Sequence, residues 1–377
     1  MIRLNVKYND AYTDITLPSK DRELHEMLGE KESTLKRGFV IRVYEPAELA
    51  LLENTTHDLD EINYLAKRMD SFDGQEMDRF CAIAQHEQYD CLQDLINLTF
   101  QLERGTLIQD MRSMEAVGRR HYLTLNGGIS AIEAQTVDFA QIGRELLSSG
   151  NGIYTEHGLL FINKGVPLTE VYDGQVFPPY YYMDDSLLVV EIECDCKSEY
   201  VYLPDDDLAI TKAFARLGAD SPDRCTFRLD DFSADNAEWR SRFEAMLGSE
   251  SIFDINALAA EINFADTDLD KLDALVEYAE DDSPLTIAKL ARYADEFEYI
   301  PDVDDHEGVG RYIIEHDEDY NLQSELEDFF NYDEFGEYFS NSYHGGFTEN
   351  GFVYIPTGQS LDRIIGNDAM NPQMGGI

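Results

Sequence analysis

The chain has few positive charges. Only 29 of its 377 residues are Lys or Arg, against 76 Asp and Glu, and the formal net charge at pH 7 is −47. Proteins bind DNA, RNA and anionic membrane surfaces largely through Lys and Arg, so the shortage argues against all three as direct partners. It predicts a cationic partner instead, and DNA-binding grooves are the commonest large cationic surfaces in a cell.

Cysteines and long apolar runs are also scarce. The five cysteines are odd in number and have neither C-x-x-C nor zinc-finger spacing. Cys194 and Cys196 lie two apart in a predicted strand, so we expect both to point to one face. No signal peptide opens the chain and no apolar run is long enough to cross a membrane. These features predict a cytoplasmic protein with reduced thiols.

Signatures of catalysis and metal binding are missing too. The sequence has no phosphate-binding loop, no H-E-x-x-H and no G-x-S-x-G. The stretch 302–315 is rich in acids, but a calcium loop that starts at Asp302 has Glu307 where glycine is required. Carboxylates are so numerous that no pair stands out as an acid–base couple. We therefore expect neither an enzyme nor a metal or other cofactor.

What the chain does have is apolar material in regular patterns. Hydrophobic residues make up 43% of it, which is enough for packed cores. Residues 2–6 alternate in the manner of a strand, and residues 62–69 and 255–262 have helical spacing. Ser283-Pro284 is typical of a helix start, with proline at the first position. The patterns predict an α+β fold.

The sequence also repeats itself. Residues 137–162 and 331–355 both predict a short helix followed by a hairpin, with turns at His157-Gly158 and Asn350-Gly351. Three further pairs match in the same order: EAVGRR from Glu115 with EGVGRY from Glu307, EINYLAKRM from Glu61 with DINALAAEI from Asp254, and Leu17-Pro18 with Leu203-Pro204. Four matches in one order predict a tandem duplication of residues 1–162 and 187–355.

Each copy is predicted to contain a small α/β unit, a helical unit and a helix-plus-hairpin unit. The whole is expected to be an elongated chain of small domains that forms a pseudo-dimer. The predicted segments are 1–50, 51–104 and 105–185 in copy one, 186–250, 251–300 and 301–356 in copy two, and a flexible tail over 357–377.

The acids concentrate in copy two. One predicted helix turns Leu269, Leu272, Leu275 and Val276 inward, and another buries residues 322, 326, 329 and 330, so that carboxylates cover their outer faces. A charged helix face is usually only solvated, but here the Lys partners that normally support such faces are missing. The predicted acidic surface comprises Asp268, Asp270, Asp273, Glu277, Asp302, Asp304, Asp305, Glu307, Glu315, Asp317, Glu318, Asp319, Glu325, Glu327, Asp328, Asp333, Glu334 and Glu337.

This amount of charge is comparable with that of a DNA duplex. Duplex DNA carries one charge per about 1.7 Å of axis, so 47 negative charges would cover roughly 80 Å at that density. A body that presents such a stripe would associate rapidly with a DNA-binding groove, and salt would weaken the complex. The charge therefore favours a protein that imitates DNA.

Two stretches resemble the ArdA family of antirestriction proteins. Residues 61–98 (EINYLAKRM…YDCLQDLINL) are similar to the helical middle of that family, and the stretch from Leu326 (LEDFFNYDEFGEYF…GFTENGFVYI) is similar to its C-terminal region. The resemblance covers about half to two-thirds of the chain. It implies an elongated DNA mimic, encoded on mobile genetic elements, that dimerises and blocks type I restriction–modification enzymes by occupying their DNA groove.

The chain also departs from that family. A usual member resembles one copy, so the duplication would build the dimer within one polypeptide. The residues from Met1 do not resemble the family's start, which leaves a different DNA-binding enzyme open as the target. Copy one also carries Arg104, Arg112, Arg119 and Arg120. The alternatives are an acidic module that inhibits another DNA-binding protein of defence or conjugation, a salt-adapted protein whose acids hold water, and an enzyme.

Overall fold

The computed structural model divides the chain into two compact units. It describes residues 1–30, 37–89, 91–179, 186–264, 266–317, 320 and 322–366. Unit 1 comprises residues 1–186 and 190–227, and unit 2 comprises residues 187–189 and 228–377. The finer division into seven segments stays a prediction.

Unit 1 opens with a four-stranded antiparallel sheet in the order β2-β1-β3-β4. One face of this sheet packs into the core of unit 1. Alternate residues of β1, namely Ile2, Leu4 and Val6, are fully buried there. The elements of this part are β1 (Ile2–Tyr8), β2 (Ala11–Leu17), α1 (Asp21–Leu28), β3 (Gly38–Glu45), a 3-10 helix (Ala47–Leu52), β4 (Thr55–His57), α2 (Leu59–Asp70), α3 (Gly74–Glu87) and α4 (Leu92–Leu98).

Local sequence signals account for these helices. Asp73 and Glu76 form a capping box at the start of α3, in which each side chain accepts a hydrogen bond from the other's backbone N–H. Asp58 caps α2 through the backbone N–H of Asp60. Ile62, Leu65 and Met69 then turn one face of α2 into the core.

The rest of unit 1 contains a helix pair beside a second sheet. We call β5, α5, α7, β6 and β7 hairpin module 1, and its strands have the order β5-β7-β6. The elements are a 3-10 helix (Leu102–Arg104), β5 (Gly105–Ile108), α5 (Met114–Asn126), α6 (Glu133–Thr136), α7 (Phe139–Ser148), β6 (Ile153–Thr155), β7 (Gly158–Ile162), β8 (Leu188–Cys194), β9 (Lys197–Leu203), α8 (Asp207–Leu217) and a 3-10 helix (Pro222–Arg224).

Strands β8 and β9 form a hairpin, α8 follows, and β10 pairs with β8 on the other side, giving the sheet order β10-β8-β9. Strands β8 and β10 contain the residues at which the chain passes between the two units. The order hairpin, helix, third strand repeats that of β1, β2, α1 and β3.

Unit 2 begins as a bundle of short helices and ends in a second helix–hairpin arrangement. We call β11, α13, α14, β12 and β13 hairpin module 2, and its strands have the order β11-β13-β12. The elements are β10 (Thr226–Phe232), α9 (Ala237–Leu247), α10 (Ile252–Glu261), α11 (Leu269–Ala279), α12 (Pro284–Arg292), a 3-10 helix (Ala294–Glu296), β11 (Glu298–Pro301), α13 (His306–His316), a 3-10 helix (Ser324–Phe329), α14 (Tyr332–Ser342), β12 (Gly346–Thr348), β13 (Gly351–Tyr354) and α15 (Leu361–Ile365).

Both modules bring two helices into contact through glycines. A Cβ at Gly118 of α5 would overlap the carbonyl oxygen of Phe139 in α7, and one at Gly143 would overlap that of Met114. In module 2, Gly310 lies in the same way against Tyr332, and Gly336 against His306. The two modules therefore share their element order, strand order and helix contact. The duplication of the chain as a whole stays a prediction.

The α+β fold is the predicted one, but three local expectations were wrong. Cys196 is not in a strand with Cys194, because Asp195 and Cys196 form the left-handed turn of the β8–β9 hairpin; Cys194 is buried and Cys196 exposed. Residues 322–330 do not form a buried-face helix, as described below. Residues 361–365 form α15 with Ile364 buried, so this part of the expected flexible tail is a helix; residues 367–377 lie outside the described part.

Ser283 and Pro284 do start α12, although the Ser283 side chain makes no capping hydrogen bond. Among the described residues, no helix combines the length and apolar character that crossing a bilayer requires.

We predict that Gly118→Ala destabilises unit 1. In an open helix position the change would stabilise the protein by roughly 0.5–1 kcal/mol, but here the methyl group would force α5 away from α7, and such overpacking costs about 1–3 kcal/mol. Denaturant unfolding should reveal a net loss of about 1–2 kcal/mol. Gly128→Ala is the control, because a Cβ there meets nothing within 4 Å. An equal effect in both variants would contradict the close contact.

Candidate acidic interface

The negative charge is denser in unit 2. This unit holds 36 of the 76 Asp and Glu residues but only 8 of the 29 Lys and Arg residues, a net charge of −28. Unit 1 is the larger of the two, yet its net charge is −19. The acidic surface predicted for the second half of the chain therefore lies in the unit that has the larger excess of negative charge.

Hairpin module 2 holds its helices on an aromatic core. Ile300, Val309, Ile313, Phe339 and Phe352 are buried together. Rings of 320, 335, 339, 343 and 354 contact one another around Phe339. The outward faces of α13 and α14 are thus fixed by packing on their inner faces.

Three acids of α14 form what we call the acidic helix face. Asp333, Glu334 and Glu337 are all exposed, while Gly336 and Phe339 occupy the buried side of the helix. Within the residues that the structure describes, no hydrogen bond or ion pair engages these three carboxylates. Since each residue adds about 1.5 Å to a helix, the three charges lie within about 6 Å of axis, a density of the same order as that of duplex DNA.

The equivalent positions of module 1 carry no such charge. Taking Gly143 and Gly336 as equivalent places Ala140, Gln141 and Arg144 where α14 has Asp333, Glu334 and Glu337. The same glycine-packed helix pair therefore forms with a neutral and basic outer face. The acids of α14 are not a requirement of this scaffold.

Helix α13 adds further exposed acids. Glu307 and Glu315 lie two turns apart, and Glu307 pairs with Arg311 at 2.7 Å. Asp302 and Asp304, in the turn before α13, are also exposed. Asp305 differs from its neighbour, because its carboxylate accepts the backbone N–H of Gly308 at 2.7 Å and caps the helix.

Helix α11 has the predicted two faces. Leu272, Leu275 and Val276 are buried, whereas Asp268, Asp270 and Glu277 are exposed. Two of these acids bind backbone N–H groups: Asp268 caps the helix through Lys271, and Glu277 accepts the N–H of Glu349 at 2.8 Å.

Asp273 was wrongly placed on the acidic surface. It is half-buried, and its carboxylate lies 2.8 Å from the guanidinium of Arg242, which in turn stacks over Trp239. Burial raises the pKa of Asp273 despite the neighbouring Arg242. This carboxylate belongs to the packing of α11 against α9.

The segment 322–330 corrects another expectation. Residues 324–329 form a short 3-10 helix, in which Leu326 is 50% and Phe329 85% exposed, so these residues do not anchor it. Three residues per turn cannot keep positions 322, 326 and 329 on one face, as an α-helix would. Phe330 contacts the rings of Tyr332 and Phe335.

The structure describes the remaining predicted acids only in part. Glu327 is exposed and Asp317 is half-buried. Glu318 and Asp319 lie outside the described residues, and for Glu325 and Asp328 only the backbone is described.

Sequence reasoning missed several exposed acids of unit 2. Asp281 and Asp282 lie in the loop after α11, and Asp295 and Glu296 lie in the short 3-10 helix that follows α12. The backbone N–H of Ser283 and the hydroxyl of Thr286 bind Asp281 and lower its pKa. The signal was the adjacency of two acids next to a helix end, which a search for helix faces does not consider.

Unit 1 contains a contrasting basic groove. Arg68, Arg79 and Arg120 line a depression of about 530 Å³ together with Glu76 and Glu103. Burial and the like charge of Arg120 lower the pKa of Arg79. The surface of unit 1 is therefore mixed in charge.

Unit 1 contains a buried cluster of charged side chains, a lysine between two aspartates, of a kind that also occurs in active sites. The Lys212 ammonium, whose residue is 3% exposed, lies 2.5 Å from Asp21 and 2.7 Å from Asp60. Burial raises the pKa of Asp60; at Asp21 the attraction of Lys67 and Lys212 outweighs burial and lowers the pKa. The adjoining cavity is only about 50 Å³. Mutual pairing of these charges indicates a structural role.

No protein-family model matches the chain, and no curated protein matches it significantly.

We predict that Asp305 contributes to the stability of the fold and that its neighbour Asp304 does not. Asp305→Ala should cost about 1 kcal/mol of unfolding free energy because the helix loses its cap, and Asp305→Asn should restore most of it. Asp304→Ala should change stability by less than about 0.5 kcal/mol. Denaturant unfolding of the three variants checks this, and an equal loss at both positions would assign Asp304 a structural role too.

Proposed function

We propose that the chain is an antirestriction protein of the ArdA type, a DNA mimic that occupies the DNA-binding groove of a type I restriction–modification enzyme. The observation that carries the proposal is the acidic helix face: three exposed carboxylates that have no partner among the described residues, on a helix fixed by its buried side. It acts in the cytoplasm as a decoy and catalyses nothing.

Rigid support is what makes these acids suitable for imitation. A flexible acidic segment would lose conformational entropy on binding, whereas carboxylates on a packed helix are already positioned. The glycine contact between Gly310 and Gly336 and the aromatic core hold α14 in place. A groove that normally contacts phosphates can therefore bind Asp333, Glu334 and Glu337 with little rearrangement.

The charge pattern also argues against acids that serve only solubility. Solubility would be served by acids anywhere on the surface, yet equivalent helices of the two modules differ by four charges at three positions. The difference concentrates negative charge on α14. A local concentration of this kind is useful for a partner with a local positive groove.

The alternative is an acidic module that inhibits a different DNA-binding protein, such as a relaxase or a histone-like protein. Exposed carboxylates do not by themselves specify which basic groove they enter. The alternative shares the acidic surface and differs in its target, so a panel of targets separates the two.

The decisive experiment is competition for a type I restriction–modification enzyme. Labelled cognate duplex is bound to the enzyme, and the chain is added at low and high salt. We expect displacement near stoichiometric protein, weakening steeply as salt rises, because the carboxylates replace phosphates. No displacement at low salt, with a folded circular-dichroism spectrum, would contradict the proposal for this enzyme class and favour another basic partner.

A triple variant tests the acidic helix face itself. Asp333→Asn, Glu334→Gln and Glu337→Gln together should weaken competition at least tenfold while leaving the fold intact, since the described structure gives none of these side chains a partner. The matched control is Glu23→Gln, Glu26→Gln and Glu193→Gln, which removes three exposed acids of unit 1 that likewise have no partner among the described residues. Equal weakening in both variants would mean that net charge, not this face, determines binding.

A further inference from the structure

A second cluster of side chains in unit 1 has the composition of a metal site. Glu48, Cys81 and His157 each place one donor atom within 4.8 Å of the other two. They come from three separate elements: the 3-10 helix Ala47–Leu52, helix α3 and the β6–β7 turn. We propose that these three residues bind one zinc ion.

The donor set favours zinc over calcium or magnesium. Calcium and magnesium take oxygen ligands almost exclusively, whereas thiolate, imidazole and carboxylate together are zinc ligands. Zinc lies about 2.0–2.3 Å from such donors, so tetrahedral binding would bring the three atoms to about 3.3–3.8 Å from one another. Glu48 and His157 would separate slightly from their present 2.8 Å, and both would stay close to Cys81, whose sulfur lies within 4.8 Å of each donor atom.

The histidine is already oriented in the way that zinc ligands are. Its Nδ1 lies 3.0 Å from Asp78 Oδ1, and the other oxygen of Asp78 accepts a hydrogen bond from Gln109 Nε2 at 2.6 Å. A carboxylate that accepts the Nδ1 proton fixes the imidazole and leaves Nε2 free for the metal. Nε2 lies 2.8 Å from Glu48, on the same side as the proposed ion. Asp78 is therefore a positioning residue.

The environment suits a tightly held ion. Cys81 is 3% exposed, and the side chains of Glu48 and His157 are 16% and 18% exposed. Zinc would displace the thiol proton of Cys81 to solvent and retain one open position for water. The sequence did not reveal this set because positions 48, 81 and 157 have no zinc-motif spacing.

The hairpin of module 2 shows which residue can replace His157 without disturbing the turn. Its turn reads Thr348-Glu349-Asn350-Gly351 where module 1 has Thr155-Glu156-His157-Gly158. Asparagine is therefore accepted at this turn position. His157→Asn removes the proposed ligand without changing the type of turn.

Cobalt and zinc titration of the full chain tests the proposal. Cobalt bound by a thiolate gives a sulfur-to-metal charge-transfer band, which carboxylates cannot produce, so the many surface acids do not interfere. We expect one cobalt per chain with this band, and zinc should displace it. Chelator competition then gives the zinc affinity.

We expect Cys81→Ser to abolish the band, His157→Asn to lower zinc affinity at least a hundredfold, and Asp78→Asn to lower it by 10–100-fold. The controls are Cys225→Ser and His86→Asn, which should leave both readouts unchanged. Circular dichroism confirms that each variant is folded. Absence of the band in the unsubstituted chain, or its persistence in Cys81→Ser, would overturn the site.

Discussion

A chain with a net charge of −47 folds only if apolar burial outweighs the repulsion among its carboxylates. The use of the few Lys and Arg residues follows from this constraint. Lys212 is buried between Asp21 and Asp60, Arg216 pairs with the buried Glu199, and in unit 2 Arg242 joins Asp273. These three cations are thus placed where an unpaired carboxylate would cost several kcal/mol in lost solvation.

Several surface carboxylates consequently have no partner among the described residues, although others, such as Glu307 with Arg311, form exposed ion pairs. Exposed ion pairs contribute only about 0–1 kcal/mol, so leaving Asp333 or Glu337 unpaired costs the fold little. The inner faces of the helices supply the stability instead, through Phe339 and the glycine contact of Gly310 with Tyr332. The unpaired carboxylates of α14 and a rigid scaffold are therefore compatible in one module.

The sequence predicted what depends on local pattern. The two faces of α11, the presence of both hairpins and the α+β class all follow from periodicity and turn chemistry. The turn positions were wrong by one residue: the turns are Glu156-His157 and Glu349-Asn350, because Gly158 and Gly351 pair as the first residues of β7 and β13. What it missed depends on contacts between distant positions. Lys212 meets Asp21 across 191 residues, and His157 meets Glu48 across 109. No periodicity links such positions.

The error over residues 322–330 has a different cause. Leu322, Leu326 and Phe329 have helical spacing, but an apolar pattern indicates only that a segment could bury one face. Burial also needs a facing surface, and Leu326 and Phe329 remain exposed on a short 3-10 helix. Pattern is thus a necessary condition for an anchored helix and not a sufficient one.

The two hairpin modules separate fold from surface charge. Both need glycine at the helix contact, because any Cβ there would meet a backbone carbonyl. Neither needs a particular residue on the outer face, where Ala140, Gln141 and Arg144 in one module occupy the positions of three acids in the other. Packing determines the positions of the outer side chains but does not determine their charge. Packing therefore does not require the charge of α14, which leaves it available for the proposed binding to a basic groove.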